Sequence, residues 1–358
     1  MKIENNKELK DYINSLIETN ELNMSMSDIF LDAIISKSIT SKKEMDLFKS
    51  KFDATTIDLY KNKLLQYWGI DEEEDEEIID KYLLSSLHEA DINKYLSNPY
   101  YQKFEGIKAK EKDYELVTDH YEPYELFSYQ DMGVEKETFV ELNSVSFFKE
   151  KFPFLALNHK GVTWMSVTPN EIETMEKAVK AAHGKVLVLG LGLGYYPYMI
   201  SLKEEVKEIT IIENDKNIIE IFRKYLFPHF DRKDKIKIIE ADAFSYLKEK
   251  HSFDYTFVDL WHDPLDGIEL YLKAKKLENK GEYFYWLESS MYLLLRRCFI
   301  SLLQEQLEGL DESNYKIAKT PTDKVINNFY QKTKNLALVS KKQLQDILSD
   351  NSLIELAI

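Results

Sequence analysis

The stretch KVLVLGLGLGYYPYMI, residues 185–200, ends an apolar run on three alternating glycines, Gly190, Gly192 and Gly194. Glycines so spaced let the backbone turn tightly and approach a ligand closely. The helix that follows offers unpaired N–H groups and a positive dipole end. Glu213 ends the next apolar run, near the interval of roughly 20 residues at which an acid receives the two hydroxyls of a ribose. Asp242, in EADAF, and Asp259, in FVDLWHDP, end the third and fourth runs. Four runs in a row thus bring a glycine turn and three carboxylates to their C-terminal ends, where open α/β sheets bind ligands. The G-x-G-x-x-G spacing of dinucleotide sites fails at Tyr195 or at Pro197, and no G-K-[ST] step exists for a nucleoside triphosphate.

These residues share an edge only if the runs KVLVLGL, EITIIEN, KIKIIEA and FDYTFVDL are parallel strands. Their near-continuous apolar character and the helical segments between them predict a parallel sheet with helices on both faces. Thr168, Pro169 and Glu171 read as the N-cap, first and third positions of a helix reaching Ala182 and stopping at Gly184. Further on, GEYFYWLESSMYLLLRRCFISLLQEQL reads as a fifth strand, a loop and a long helix, with Glu288, Ser289 and Ser290 in the loop. NLALVS is a late strand and the tail a terminal helix. Upstream, apolar spacings of three and four predict helices to about Phe104, with Asn98–Pro99 as a stop signal. From Lys110 to Val167 the period changes to two, in segments rich in Tyr, Phe, Val and Thr. The expected organisation is a helical N-terminal domain (1–105), a small β-rich unit (106–167) and a Rossmann-like domain (168–358).

Lys185 to Pro264 resembles the core of the class I S-adenosylmethionine-dependent methyltransferases and is most similar to their spermidine-synthase-like branch. The resemblance rests on VLVLGLGLG, on Glu213 in TIIEND, on Asp242–Ala243 and on VDLWHDP, which carries one extra residue. It implies a Rossmann-like class I methyltransferase sheet with S-adenosyl-L-methionine as cofactor. The glycines would face the methionyl part, Glu213 the ribose, and Asp242, Ala243 and Phe244 the adenine, with Asp259 beside the reacting centre. His262, of the one side-chain type that titrates near neutrality, joins Asp259 as a catalytic candidate. Asn170, Glu171, Trp261 and Asp263 are candidates for the acceptor pocket; Asp263–Pro264 equally fits a helix cap. Two departures separate the chemistries. Leu193 stands where spermidine synthases carry an Asp in their glycine turn, and Pro169–Asn170 replaces the Tyr-(His/Gln) pair before the acid retained as Glu171. On these grounds methyl transfer is expected ahead of aminopropyl transfer.

Composition narrows the acceptor. With 63 acidic against 47 basic residues the chain carries a formal charge of −16, which argues against a broad nucleic-acid surface and favours a small-molecule or protein acceptor. Eight acids fall in the ten residues 71–80 and read as the solvated start of a helix. Cys298, the single cysteine, is expected to be buried, without a disulfide or zinc partner, so no metal site is expected. No apolar run nears the roughly 18–20 residues of a membrane span, and MKIENNKELKDYI has no apolar h-region, so a cytoplasmic address is expected. The leading expectation is a methyltransferase, with a homodimer left open. Its alternatives are an aminopropyltransferase using decarboxylated S-adenosylmethionine and a non-catalytic protein that senses a ligand or docks a partner.

Overall fold

A computed structural model describes residues 1–37, 39–71, 73, 75–83, 86–249, 251–309 and 318–358. The chain opens with three helices, α1 (Lys7–Ser36), α2 (Lys42–Lys51) and α3 (Thr56–Trp68), and a short α4 (Pro99–Phe104). Each starts on a side chain that accepts a backbone N–H, from Asn6, Ser41, Thr55 and Asn98 respectively. Asn98–Pro99 therefore begins a helix rather than ending one, because Pro at the first helical position loses no hydrogen bond. In the acidic run, Asp75 stands at the N-cap of the short helix Glu76–Ile78, and Glu73 and Asp80 are exposed. Residues 72 and 74 of that run lie outside the described residues.

The antiparallel strands β1 (Tyr114–Tyr121), β2 (Phe152–His159) and β3 (Val162–Ser166) follow, in a sheet ordered β3-β2-β1 and closed by Ala109–Glu111. Then come α5 (Pro169–Ala181), β4 (Gly184–Leu189), α6 (Tyr195–Ser201), β5 (Val206–Glu213), β6 (Ile236–Glu240), α7 (Ala243–Lys248), β7 (Tyr255–Val258), α8 (Pro264–Lys275), β8 (Glu282–Tyr285) and α9 (Glu288–Glu308). The five strands β6-β5-β4-β7-β8 form one sheet, and every pairing in it is parallel. The strand order reverses between β4 and β7, and at such a switch point the C-terminal strand ends part to leave a crevice. Val186–Leu189 and Tyr255–Val258 are buried, as strands covered on both faces must be.

Two apolar cores meet along α1. Its first half sends Leu9, Ile13 and Leu16 into the core that also holds β4, β5 and β7. Its second half, with Met26, Phe30 and Ala33, packs with Tyr60 and Leu64 of α3 and with Val145 and Phe147 from the β-rich segment. Arg297 of α9 ties these parts together. Its guanidinium pairs with the buried Glu141 carboxylate and donates to Ser27 Oγ of α1 at 2.9 Å. The late strand Ala337–Leu338 pairs in parallel with Lys2–Ile3 and not with the five-stranded sheet, and the tail forms two helices, Lys341–Ile347 and Asp350–Ala357. Among the described residues no helix is long and apolar enough to cross a membrane.

Candidate functional site

A cavity of about 740 Å³ opens over the C-terminal ends of β4, β5, β6 and β7. Its floor is the glycine turn. Gly190, Gly192 and Gly194 all have positive φ, +96°, +51° and +80°, a region that costs other residues about 1–2 kcal/mol. A Cβ at Gly190 would lie 1.9 Å from the Asp259 carbonyl oxygen, and one at Gly194 would lie 2.3 Å from the Phe222 ring. A Cβ at Gly192 would meet nothing within 4 Å, because that position faces the open cavity. Two of the glycines are thus required by packing of the protein, and the third leaves room for a ligand. The helix after the turn begins at Tyr195, two residues before Pro197, and Gly194 in the left-handed conformation occupies its N-cap.

Glu213 leaves the end of β5 and is fixed by backbone donors. Its Oε2 accepts from Leu191 N at 3.1 Å, and its Oε1 from Asn214 N and Asp215 N, both at 2.8 Å. One carboxylate so links two strand ends and stands beside the turn. Asp242, after β6, is the N-cap of α7, where its Oδ1 accepts from Ser245 N and Ser245 Oγ at 2.8 Å. The Ser245 hydroxyl and N–H hold its pKa below the usual carboxylate range. Ala243 and Phe244 line the same end of the cavity, and Lys273 Nζ sits 3.8 Å above the Phe244 ring. That cation–π contact was not legible in the sequence, because Lys273 comes from α8, on a different element.

At the other end, Asp259 follows β7 and Glu171 comes from the first turn of α5. Burial and then the nearby Glu213 charge push the Asp259 carboxyl up to about 7. Burial and then Asp259 push Glu171 well above the ordinary carboxylate range. Among the described residues neither carboxylate forms an ion pair. Thr168 takes the N-cap position of α5 without a side-chain cap bond, and Glu171 contributes to the cavity wall instead. Trp261 and Trp286 line this end, and with Trp164 of β3 three of the chain's four tryptophans border the cavity. Trp261 Nε1 donates to the Trp286 carbonyl at 3.1 Å, and Trp286 Nε1 donates to Thr174 Oγ1 of α5 at 2.9 Å. Gly267 makes room for Trp261, since a Cβ there would lie 2.5 Å from its Cγ. Trp164 and Trp286 were not singled out in the sequence, where aromatic residues inside strands read as packing.

Two sequence candidates lie elsewhere. Asp263 is not on the cavity wall; it caps α8, accepting from Leu265 N at 2.7 Å and Asp266 N at 3.0 Å, so the capping alternative is the one realised. Asn170 is also absent from the wall, and its carbonyl accepts from Thr174 Oγ1 at 2.7 Å. His262 occupies the exposed rim, its Nδ1 3.1 Å from Asp266 Oδ2. Glu288 accepts from Tyr271 OH and Tyr292 OH. Ser289 N and Ser290 Oγ donate to Asp131, a residue of the β-rich segment that thereby caps α9 from outside. Cys298 is buried, which pushes its thiol up to about 12.

Five carboxylates and one lysine line the cavity, a balance that favours a cationic ligand. Residues 169–277 match the model of the spermine/spermidine synthase domain. No curated protein matches the chain. Among solved structures it is similar to a spermidine synthase from Thermotoga maritima, at 20% identity over 42% of this chain and 60% of that one, with a TM-score of 0.30. It is also similar to a spermidine synthase in complex with the transition state analogue AdoDATO, at 21% identity over 42% and 59% of the two chains, TM-score 0.29. A third is precorrin 8w decarboxylase from Methanobacterium thermoautotrophicum, at 17% identity over 40% and 74%, TM-score 0.27. The chain spans about 60% of the length of the two spermidine synthases. The match over residues 169–277 overturns the expectation of methyl transfer, because the matching family is defined by the other chemistry. Leu193 and Pro169–Asn170 do not separate the two chemistries, and Glu171 and Asp259 both stand on the cavity wall.

Proposed function

We propose that this chain transfers the aminopropyl group of decarboxylated S-adenosylmethionine to an amine acceptor. The observation that carries the reading is the pair Glu171 and Asp259, two carboxylates without an ion-pair partner among the described residues, on the wall of an acidic, tryptophan-lined cavity. An ammonium ion would relieve their mutual repulsion, and indole faces attract cations. The family match at residues 169–277 supports the same chemistry.

In this reading Glu213 receives the ribose hydroxyls, Asp242 and Phe244 border the adenine, and the turn at Gly192 admits the sulfonium arm. Removing the carboxylate from the sulfonium substrate matters here, since among the described residues Lys273, engaged with Phe244, is the one lysine or arginine on the cavity wall. Asp259 holds the acceptor ammonium and takes its proton. The freed nitrogen attacks the aminopropyl carbon bound to sulfur as the C–S bond breaks. The bonding pair passes to sulfur, leaving the neutral thioether 5′-methylthioadenosine. The chain's contribution is largely to hold two reactants in line.

Titration calorimetry with decarboxylated S-adenosylmethionine and with S-adenosylmethionine tests this directly. The decarboxylated compound is expected to bind at least about tenfold more tightly, a difference of 1.4 kcal/mol. Glu213→Ala should weaken it further by a similar factor. Equal binding of both compounds, or tighter binding of the carboxylated one, would contradict the proposal.

A further inference from the structure

Outside residues 169–277, one short element touches both halves of the cavity. Tyr100 of α4 is buried, and its hydroxyl donates to the Leu193 carbonyl, inside the glycine turn, at 2.7 Å. Asn98 Nδ2, at the N-cap of α4, donates to Tyr195 OH at 3.3 Å, and the Tyr100 and Tyr195 rings meet edge to face at 5.4 Å. On the next residue, Tyr101 OH donates to the Val167 carbonyl at 2.6 Å, at the end of β3 where the acceptor-side wall passes into α5. Consecutive tyrosines therefore grip two backbone carbonyls that the sheet leaves without ladder partners. One belongs to the turn under the nucleoside end, the other to the wall at the acceptor end.

We propose that Tyr100 and Tyr101 are positioning residues that hold the glycine turn and the β3 wall in fixed relation, so that α4 sets the distance across the cavity. A buried carbonyl stripped of its partner costs free energy, and the turn has little else to fix it. Gly194 N donates to the Leu191 carbonyl at 3.0 Å, and Leu191 N is held by Glu213. Leu193, apolar and buried, adds no side-chain hydrogen bond. The coupling to ligand binding rests on the reading that the cavity takes an adenosyl compound; the local bracing does not.

The test pairs hydrogen exchange on the unliganded protein with calorimetry, using Tyr100→Phe, Tyr101→Phe and Asn98→Ala. Tyr100→Phe should speed exchange at the Gly194 amide about tenfold, as expected for one lost hydrogen bond, and leave the Val167 amide, which donates to the Leu155 carbonyl, unchanged. Tyr101→Phe should do the reverse. Asn98→Ala, with the smallest change to the core, should follow Tyr100→Phe in direction. For 5′-methylthioadenosine the Kd should rise about fivefold or more in Tyr100→Phe and stay within about twofold in Tyr101→Phe. Wild-type exchange at Gly194 in both Tyr100→Phe and Asn98→Ala would overturn the bracing. Faster exchange with an unchanged Kd would overturn its role in binding. If the wild type itself fails to bind 5′-methylthioadenosine, the functional reading falls while the exchange comparison still decides the brace.

Discussion

Asp259 and Glu171 are buried carboxylates that the fold makes hard to ionise, and the proposed transfer relies on them. A carboxyl raised from 3.8 to about 7 in the folded protein binds its proton more tightly there than in the unfolded chain. Its contribution to stability is therefore greatest at acid pH and is lost as pH rises from roughly 4 towards 7. Asp259→Asn should accordingly raise Tm by about 2 °C or more at pH 8 and change it little at pH 4; thermal scans at the two pH values check this. The same substitution should abolish turnover, a trade between stability and activity common at charged sites. In the wild type, kcat/KM should climb through an acid limb near pH 7 as Asp259 loses its proton, and the limb should move to lower pH in Glu213→Gln, which removes the neighbouring charge that raises Asp259. Gly192→Ala makes a different point. Its backbone is left-handed but nothing lies within 4 Å, so about 1 kcal/mol of strain should leave the fold intact while ligand binding falls sharply. Equal binding by wild type and Gly192→Ala would mean that no ligand approaches the turn there.

At the scale of elements, the parallel strands were legible because each is a nearly pure apolar run, and their ends named Gly190, Glu213, Asp242 and Asp259 without any long-range information. The strand FPFLALNH, residues 152–159, is hard to read from sequence, although it is the central partner of β1 and β3. A strand buried along most of its length loses the alternation by which half-exposed strands are recognised. Asp263 was ambiguous for a related reason. A carboxylate before a proline has the same spelling whether it caps a helix or meets a substrate, and only the bonds to Leu265 N and Asp266 N separate the two. The contributions of Trp286, Lys273 and Tyr100 depend on contacts between distant elements and carried no local signal. One such contact is testable for stability. Arg297 neutralises the buried Glu141, so Arg297→Leu should cost about 3–5 kcal/mol by leaving that charge uncompensated, read from denaturant titration. A loss below about 1 kcal/mol would show that solvent reaches Glu141.

Over the whole molecule, α1 enters both cores, and α4 and Arg297 join the segments before residue 168 to the five-stranded sheet. The N-terminal third is therefore proposed to work as part of the site's frame rather than as an appended module. The acidic excess divides in the same way. Part of it solvates the N-terminal surface, while five acids converge on one cavity, which is proposed to select for cations. Product analysis tests the proposed aminopropyl transfer most directly. The protein is incubated with a simple diamine and either decarboxylated S-adenosylmethionine or S-adenosylmethionine, and the nucleoside released is identified by mass spectrometry. The expected product is 5′-methylthioadenosine from the decarboxylated compound, in equal amount to an acceptor heavier by one aminopropyl group, and lost in Asp259→Asn. Release of S-adenosylhomocysteine from S-adenosylmethionine, with a methylated acceptor, would contradict it.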